Sequence, residues 1–354
     1  MDCTLSKYTD FLLSVPKYAT ATAMSAVFDN QLSHDKISRF LRSSYLDSTS
    51  VWKSAKEFVR SLIKFEDDSG VISVDDSIVE KAHTDENAMI CYHWDHSLQR
   101  HVKGINFISL MYSHEKLNIP IQVRVVEKTE PYTDKKTGKT KYKSPKTKNE
   151  HFLDMLGHAK KQVGFQYVLG DSWFSSAANI NFIINKLDRH AVLAVKTSRT
   201  VALSDKDRKN GKFIRVDQVD QLEREKVLKV YLRSVEKAVV LVKQVFTNKD
   251  GSQGILYLIA TDLSMSYDAI TTIYKKRWKV EEYHKSLKQH TALAGSPTKI
   301  IATQANHFYA AIIAYIKLEK IKSKTGNGHF RLKAILMLAA TKNSMEVIQG
   351  WLNS

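Results

Sequence analysis

Ile273-Tyr274-Lys275-Lys276-Arg277-Trp278-Lys279-Val280-Glu281-Glu282-Tyr283-His284-Lys285-Ser286-Leu287-Lys288 carries more information than any other stretch of this 354-residue chain. No Pro or Gly interrupts Tyr267 to Leu293, so the stretch reads as one helix. At roughly 100° per residue, Tyr274, Arg277, Glu281 and Lys288 fall within about 60° of one another. One carboxylate then shares a stripe about four turns long with two cations and a phenol. Positive neighbours favour its charged form. Such a carboxylate suits a metal ion, and Arg277 and Lys288 suit phosphates. An ordinary amphipathic helix with a solvated charged face would look the same, and the helix alone leaves both readings open.

Composition bears on that choice. There are 54 Lys and Arg against 37 Asp and Glu, a formal charge of +17. This is the electrostatic footprint of a protein that meets a polyanion, with nucleic acid the first candidate. A membrane is the competitor, but the longest apolar run, Phe308 to Ile316, has nine residues, far short of the 18 or so a span needs. Met1-Asp2-Cys3-Thr4 lacks a signal-peptide pattern. With Cys3 and Cys91 the only cysteines, a disulfide framework is not expected and a reducing cytoplasm is the natural setting.

Residues 1–66 read as helical. Ser33 is a candidate N-cap ahead of Ile37, Phe40 and Leu41. A helix-turn-helix, with Lys36 and Arg39 on DNA backbone, competes here with a small packing domain. A strand at Val71–Val74 then runs into Asp75-Asp76-Ser77, and strand-like runs follow at 104–113 and 119–126. Residues 131–148 hold seven Lys and no acid from Lys135 onward and read as a loop. A helix is expected over 151–163, a buried strand over 165–170 ending at Asp171, a helix capped by Ser175 or Ser176, and a strand over 190–196. Residues 200–262 read as β throughout, with strands at 212–219, 226–234, 238–246 and 255–260. Asn210-Gly211 and Asn248-Lys249-Asp250-Gly251 mark turns. Residues 303–352 read as helices. Early strands followed by crossover helices predict an α/β mixed sheet, compatible with an RNase H-like core.

Three acids stand out: Asp75 (with Asp76 beside it) and Asp171 where strands are expected to emerge, and Glu281 on the helix. Open sheets bind ligands beyond their strand ends. Carboxylates gathered in one place need a cation, and Mg2+ bridging acids and substrate phosphates is the usual answer. Two such ions about 4 Å apart can activate a water or 3′-hydroxyl and stabilise the leaving oxygen. Each acid taken alone is also an ordinary turn or cap residue.

Tyr274, Arg277, Glu281 and Lys288 match the Y-x2-R-x3-E-x6-K signature, and the chain resembles the cut-and-paste DDE transposases of bacterial insertion sequences, in particular insertion-sequence family four. Trp278 suits that family. Val74-Asp75-Asp76-Ser77 looks like its first-Asp motif and Leu169-Gly170-Asp171-Ser172-Trp173-Phe174 like its second. The stretch between Asp171 and Glu281 is similar to its β-rich insertion. The likeness covers roughly residues 67 to 320.

The resemblance implies an RNase H-like core in which Asp75, Asp171 and Glu281 are catalytic and hold two Mg2+ ions, with Mn2+ an alternative. Motif spacing favours Asp75 over Asp76. The implied reaction is nicking at terminal inverted repeats and transfer of the freed 3′-hydroxyl into target DNA. Tyr274, Arg277 and Lys288 would contact phosphates. The implied division is a helical DNA-binding region over 1–66, core over 67–200, β-rich insertion over 201–262, core with the Glu helix over 263–325, and a helical region over 326–354. Double-stranded DNA, target DNA and a second copy in the DNA-bound complex are the expected partners, without a membrane. The setting would be prokaryotic cytoplasm, at the nucleoid. A DNA-binding repressor without catalysis, or an RNase H-like nuclease without strand transfer, are the alternatives. Trp94 and Trp173 are candidates for stacking on unpaired bases. Cys91-Tyr92-His93-Trp94-Asp95-His96 fits no common structural zinc spacing.

Overall fold

The computed structural model describes residues 1–353 apart from Ser97, Lys116, Lys249 and Pro297. Four helices come first: α1 (Leu5–Ser14), α2 (Ala21–Val27), α3 (His34–Ser43) and α4 (Ser48–Leu62). Thr4, Thr20, Ser33 and Asp47 cap them, each side chain accepting a backbone N–H of the first turn, worth about 1 kcal/mol apiece. Ser33 is the expected cap. Behind it Ile37 and Leu41 are buried, and Phe40 packs on the Tyr8 ring at 5.8 Å.

Next come β1 (Val71–Glu80), β2 (Cys91–Asp95), β3 (Arg100–His114) and β4 (Leu117–Val125). The first strand does not end before its acids. It continues through Asp75 and Asp76, which pair with Ser109 and Ile108 of β3. The segment from Cys91 is itself a strand, antiparallel to β3. The Lys-rich stretch is not a loop but largely a hairpin, β5 (Glu130–Thr133) with β6 (Thr140–Lys143). Its turn is built by Asp134, whose carboxylate accepts the N–H groups of Lys136 and Thr137 and pairs with Lys141. Gly138 supplies the left-handed residue at φ +64.

Then α5 (Lys148–Ala159), β7 (Tyr167–Gly170), α6 (Ala177–Asn185) and β8 (His190–Val195) form the crossover part of the core. Ser176, not Ser175, caps α6. Beyond lie β9 (Thr200–Ala202), α7 (Asp205–Lys209), β10 (Ile214–Arg215), a 3-10 turn (Val216–Gln218), β11 (Val227–Leu232), β12 (Val239–Thr247) and β13 (Gln253–Ala260). The strand expected at 212–219 is thus only two residues long. Arg215 pairs with Asp217 at 2.6 Å and the chain turns there. α7 was not expected; Ser204 caps it and Gly211, at φ +71, follows its end. Of the turn at 248–251, Lys249 lies outside the described residues, while Gly251 at φ +81 has the positive φ such a turn needs.

Eleven strands join one mixed sheet in the order β10-β9-β11-β12-β13-β8-β7-β1-β3-β2, with β4 also on β3. β1, β7 and β8 are parallel and the other neighbours antiparallel. Gly104 of β3 pairs with both Glu80 and Cys91, which puts β1 and β2 on opposite edges of that strand. The β-rich stretch extends this same sheet through β13 on β8. The architecture is a mixed α/β fold with flanking helices, in keeping with an RNase H-like core.

The two faces carry separate cores. Val71, Tyr167, Leu169, Val192 and Ala194 pack with Ile270 and Tyr274 on one side. Ile72, Val74, Val168, Ala191 and Leu193 belong to the larger cluster with Phe152, Phe174 and Ile180. The decisive helix is not continuous. It is α8 (Tyr267–Lys275) and α9 (Trp278–His290), joined by Lys276 and Arg277. Across the joint the N–H groups of Lys276, Arg277, Lys279 and Val280 bond three residues back, not four, a local tightening that sequence without Pro or Gly does not announce. α10 (Ile301–Thr325) ends at Gly326 in the left-handed region, and α11 (His329–Leu352) follows. No helix among the described residues is long and apolar enough to cross a membrane.

Candidate active site

Strand register sets the first two acids side by side. In the parallel pair β1–β7, Ser73 faces Leu169. Two residues further along each chain come Asp75, still within β1 and by the pleat on the face of Ser73, and Asp171, one residue past the end of β7 and close enough to act on Asp75 electrostatically. Pleating sends Asp76 the other way. Its carboxylate accepts from Lys148 Nζ at 2.6 Å and Asn106 Nδ2 at 3.3 Å. Asp75 instead approaches α9, with its Oδ2 3.8 Å from His284 Nδ1.

Asp171 sits in a tight local turn. Its Oδ1 accepts the Trp173 N–H at 2.9 Å and its carbonyl the Phe174 N–H at 3.2 Å. Gly170 before it is required by packing: a Cβ there would meet Val74 Cγ1 at 3.0 Å and both Leu193 and Phe174 at 3.3 Å. Phe174 is fully buried against Phe152 at 5.1 Å between ring centres. The turn therefore has a rigid floor beneath a half-buried carboxylate and an exposed Trp173.

Arg277, at the joint between α8 and α9, is the hub. Its Nη2 donates to Glu281 Oε1 at 2.5 Å, and its guanidinium lies 5.7 Å from the Tyr274 ring centre and 5.5 Å from that of Trp278. Burial works against the Arg277 charge, but Tyr274, Glu281 and Asp75 outweigh it and hold the group above its ordinary range. Tyr274 is buried, and that burial pushes its phenol up to about 12. It therefore backs Arg277 and does not face solvent. Lys288 is exposed and lies within electrostatic range of Asp95 and Asp75.

Desolvation, then Asp76 and Asp171, push the Asp75 carboxyl up to about 7, with Arg277 pulling the other way. Among the described residues neither Asp75 nor Asp171 forms an ion pair with a Lys or Arg, a condition a divalent cation relieves. The third acid is not gathered in: Glu281 is occupied by Arg277. Among the described residues no three His, Cys, Asp or Glu side chains converge closely enough to make a ready metal cage. The donor set fits a cation at Asp75 and Asp171, with Glu281 one ion pair away.

Sequence reasoning missed two residues here. Burial takes His284 down to about 3, so it meets Asp75 as a neutral ring. It lies one turn beyond Glu281 on the stripe already noted. Lys148 was hidden in the Lys run. It holds Asp76 and lies 5.8 Å from the Trp173 ring centre, with Lys196 at 5.9 Å. Lys36 and Arg39 stand exposed on α3; Lys36 Nζ bonds Met1 O at 3.0 Å and Asp2 Oδ1 at 3.2 Å. The connection between α2 and α3, residues 28–33, exceeds the three or four residues typical of a helix-turn-helix.

A family model described as DDE superfamily endonuclease matches residues 4–212, and one described as Transposase DDE domain matches residues 113–317. The chain belongs to the DDE superfamily. The first match spans Asp75 and Asp171, the second Asp171 and Glu281. DDE membership supports a transposase or endonuclease role acting on DNA. No curated protein was found to match the chain.

Proposed function

We propose that this DDE protein is a transposase that cuts DNA at the ends of its element and joins the freed 3′-hydroxyl to target DNA. Asp75, Asp171 and Glu281 are its catalytic acids, and it belongs with insertion-sequence family four through the Tyr274-Arg277-Glu281-Lys288 signature. The observation that carries this reading is Asp75 on β1 beside Asp171, one residue past the end of the parallel neighbour β7, with Arg277 bonded to Glu281 and within electrostatic reach of Asp75. Asp75 and Asp171 would hold divalent cations, Mg2+ or Mn2+, with Glu281 joining once Arg277 turns to a DNA phosphate. Bound there, the ions supply a deprotonated water or 3′-hydroxyl and neutralise charge on the leaving oxygen.

The protein's own groups do the rest. Arg277, fixed from below by Tyr274, offers a planar fork to a phosphate. Lys288 adds a point charge, and Trp173, exposed beside Asp171, offers a face to an unpaired base. Lys36 and Arg39 supply backbone contacts from the N-terminal region, residues 1–66. The remaining division is core at 67–200 and 263–325, insertion at 201–262 and a helical region at 326–354. A second copy is recruited through α11, where Leu338, Met345 and Leu352 recur every seven residues and are exposed.

The test uses DNA carrying the inverted repeats that flank this reading frame. Wild type should nick and join in Mg2+ and do neither in EDTA. Nicks without joined products would reduce the protein to a nuclease; binding without nicks would reduce it to a repressor.

A further inference from the structure

A second feature stands apart from the carboxylates. Between the edge strand β2 and the β5–β6 hairpin opens a cleft of about 1060 Å3. Tyr92, Tyr132 and Tyr142 line it and are 51, 41 and 58% exposed. Exposed tyrosines on an otherwise polar surface need a reason, since each leaves a large ring in water. Lys128 and Lys141 line the same cleft with one acid, Glu86, and Lys141 is paired with Asp134 of the hairpin turn. Lys128 Nζ also donates to Tyr92 O at 2.6 Å, tying the stem of the hairpin to the edge strand. The Lys-rich hairpin thus forms one wall of a cleft with both π-faces and positive charge.

The cleft leads toward the acids. Along β2, Tyr92 and Trp94 alternate with buried Cys91 and His93, so both rings stand on one face. The Trp94 ring lies 5.2 Å from His101, and His96 lies 6.1 Å from Trp173, two residues past Asp171. Rings therefore run from the cleft to the second acid, with Lys148 and Lys196 beside the last of them.

We infer that the cleft between β2 and the β5–β6 hairpin binds single-stranded DNA, its bases stacked on Tyr92, Tyr132 and Tyr142 and its phosphates met by Lys128. Ring faces offered to bases favour an unpaired strand, because in a duplex the bases are already stacked on one another. Stacking tolerates any base because every base has a π-face. The inference rests on the transposase reading for its source of ligand, the unpaired strand that cutting at Asp171 leaves beside Trp173.

Binding is measured by fluorescence anisotropy on the full chain in EDTA, so that cutting plays no part. The probes are a labelled oligothymidylate of about 12 nucleotides, within the range one such site covers, its duplex with oligoadenylate, and oligouridylate. Tyr92→Ala and Tyr142→Ala should each weaken oligothymidylate binding roughly fivefold or more. Tyr92→Phe and Tyr142→Phe should bind like wild type, and duplex binding should stay unchanged in all four, which also shows that they are folded. No measurable oligothymidylate binding by wild type, or alanine variants that bind it undiminished, overturns the inference. So does an equal loss on duplex, or a preference for oligouridylate. None of these results touches cleavage by Asp75, Asp171 and Glu281, and loss of cleavage in their variants leaves the cleft's binding intact.

Discussion

Asp75 keeps its proton up to about pH 7 because it is desolvated and faces Asp76 and Asp171. That has a consequence for stability. The unfolded carboxyl titrates near the ordinary aspartate value of 3.8. Between that pH and about 7 the folded state binds the extra proton, so the contribution is full below 3.8 and is lost as pH rises through 7. Asp75→Asn, a neutral mimic of the protonated form, should therefore stabilise the metal-free protein at pH 8 by on the order of 2–4 kcal/mol. The gain should shrink below pH 7 and vanish near pH 4, as read by urea unfolding in EDTA. Mg2+ should raise the wild-type midpoint more at pH 8 than at pH 5. Arg277 works in the opposite sense. Arg277→Ala strips Glu281 and Asp75 of their cation and should cost about 1–3 kcal/mol at pH 8.

At the scale of elements, α8 and α9 show what the sequence could and could not reveal. The 3.6-residue spacing correctly put Tyr274, Arg277 and Glu281 together, because i+3 and i+4 neighbours meet whether or not the helix tightens between them. The joint itself was hidden, since it comes from backbone bonds three residues back and not from a helix breaker. The local pattern supports a strand only over Val71–Val74, running into Asp75-Asp76-Ser77, whereas β1 continues to Glu80. Lys148 and Asn106 hold Asp76, and β3 supplies pairing as far as Glu80, none of which is local. The hairpin β5–β6 was missed because its residues are exposed and give no apolar alternation. α11 carries a prediction of its own. It buries little besides His329 and Leu332, and His329 Nε2 lies 3.1 Å from Glu319 Oε1 at its base. If α11 recruits the second copy in the DNA-bound complex, Met345→Arg should leave one protein copy per DNA in sedimentation where wild type carries two, without changing the unfolding midpoint; an unchanged mass would remove α11 from the pairing surface.

At the scale of the molecule, one sheet joins the core strands to the β-rich stretch, so that β10 and β2 are its two ends. Local pattern located most of those strands but could not say that β13 would pair with β8, because partner choice over some 60 residues is a tertiary outcome. Charge is the other global property. With +17 spread over 354 residues, duplex binding in EDTA should weaken by roughly 10³-fold or more between 50 and 200 mM salt if six or more phosphates are met. A flat response would mean that the charge is not a DNA footprint.

The site assignment is tested most directly by single-turnover cleavage of DNA bearing the flanking inverted repeats, in Mg2+ at pH 8, comparing Asp75→Asn, Asp76→Asn, Asp171→Asn and Glu281→Gln with wild type. Loss of at least about a hundredfold is expected for Asp75, Asp171 and Glu281, the scale of several kcal/mol of charge stabilisation, while Asp76→Asn should retain most of the rate. Cleavage by Asp171→Asn at the wild-type rate, or an inactive Asp76→Asn beside an active Asp75→Asn, would contradict it.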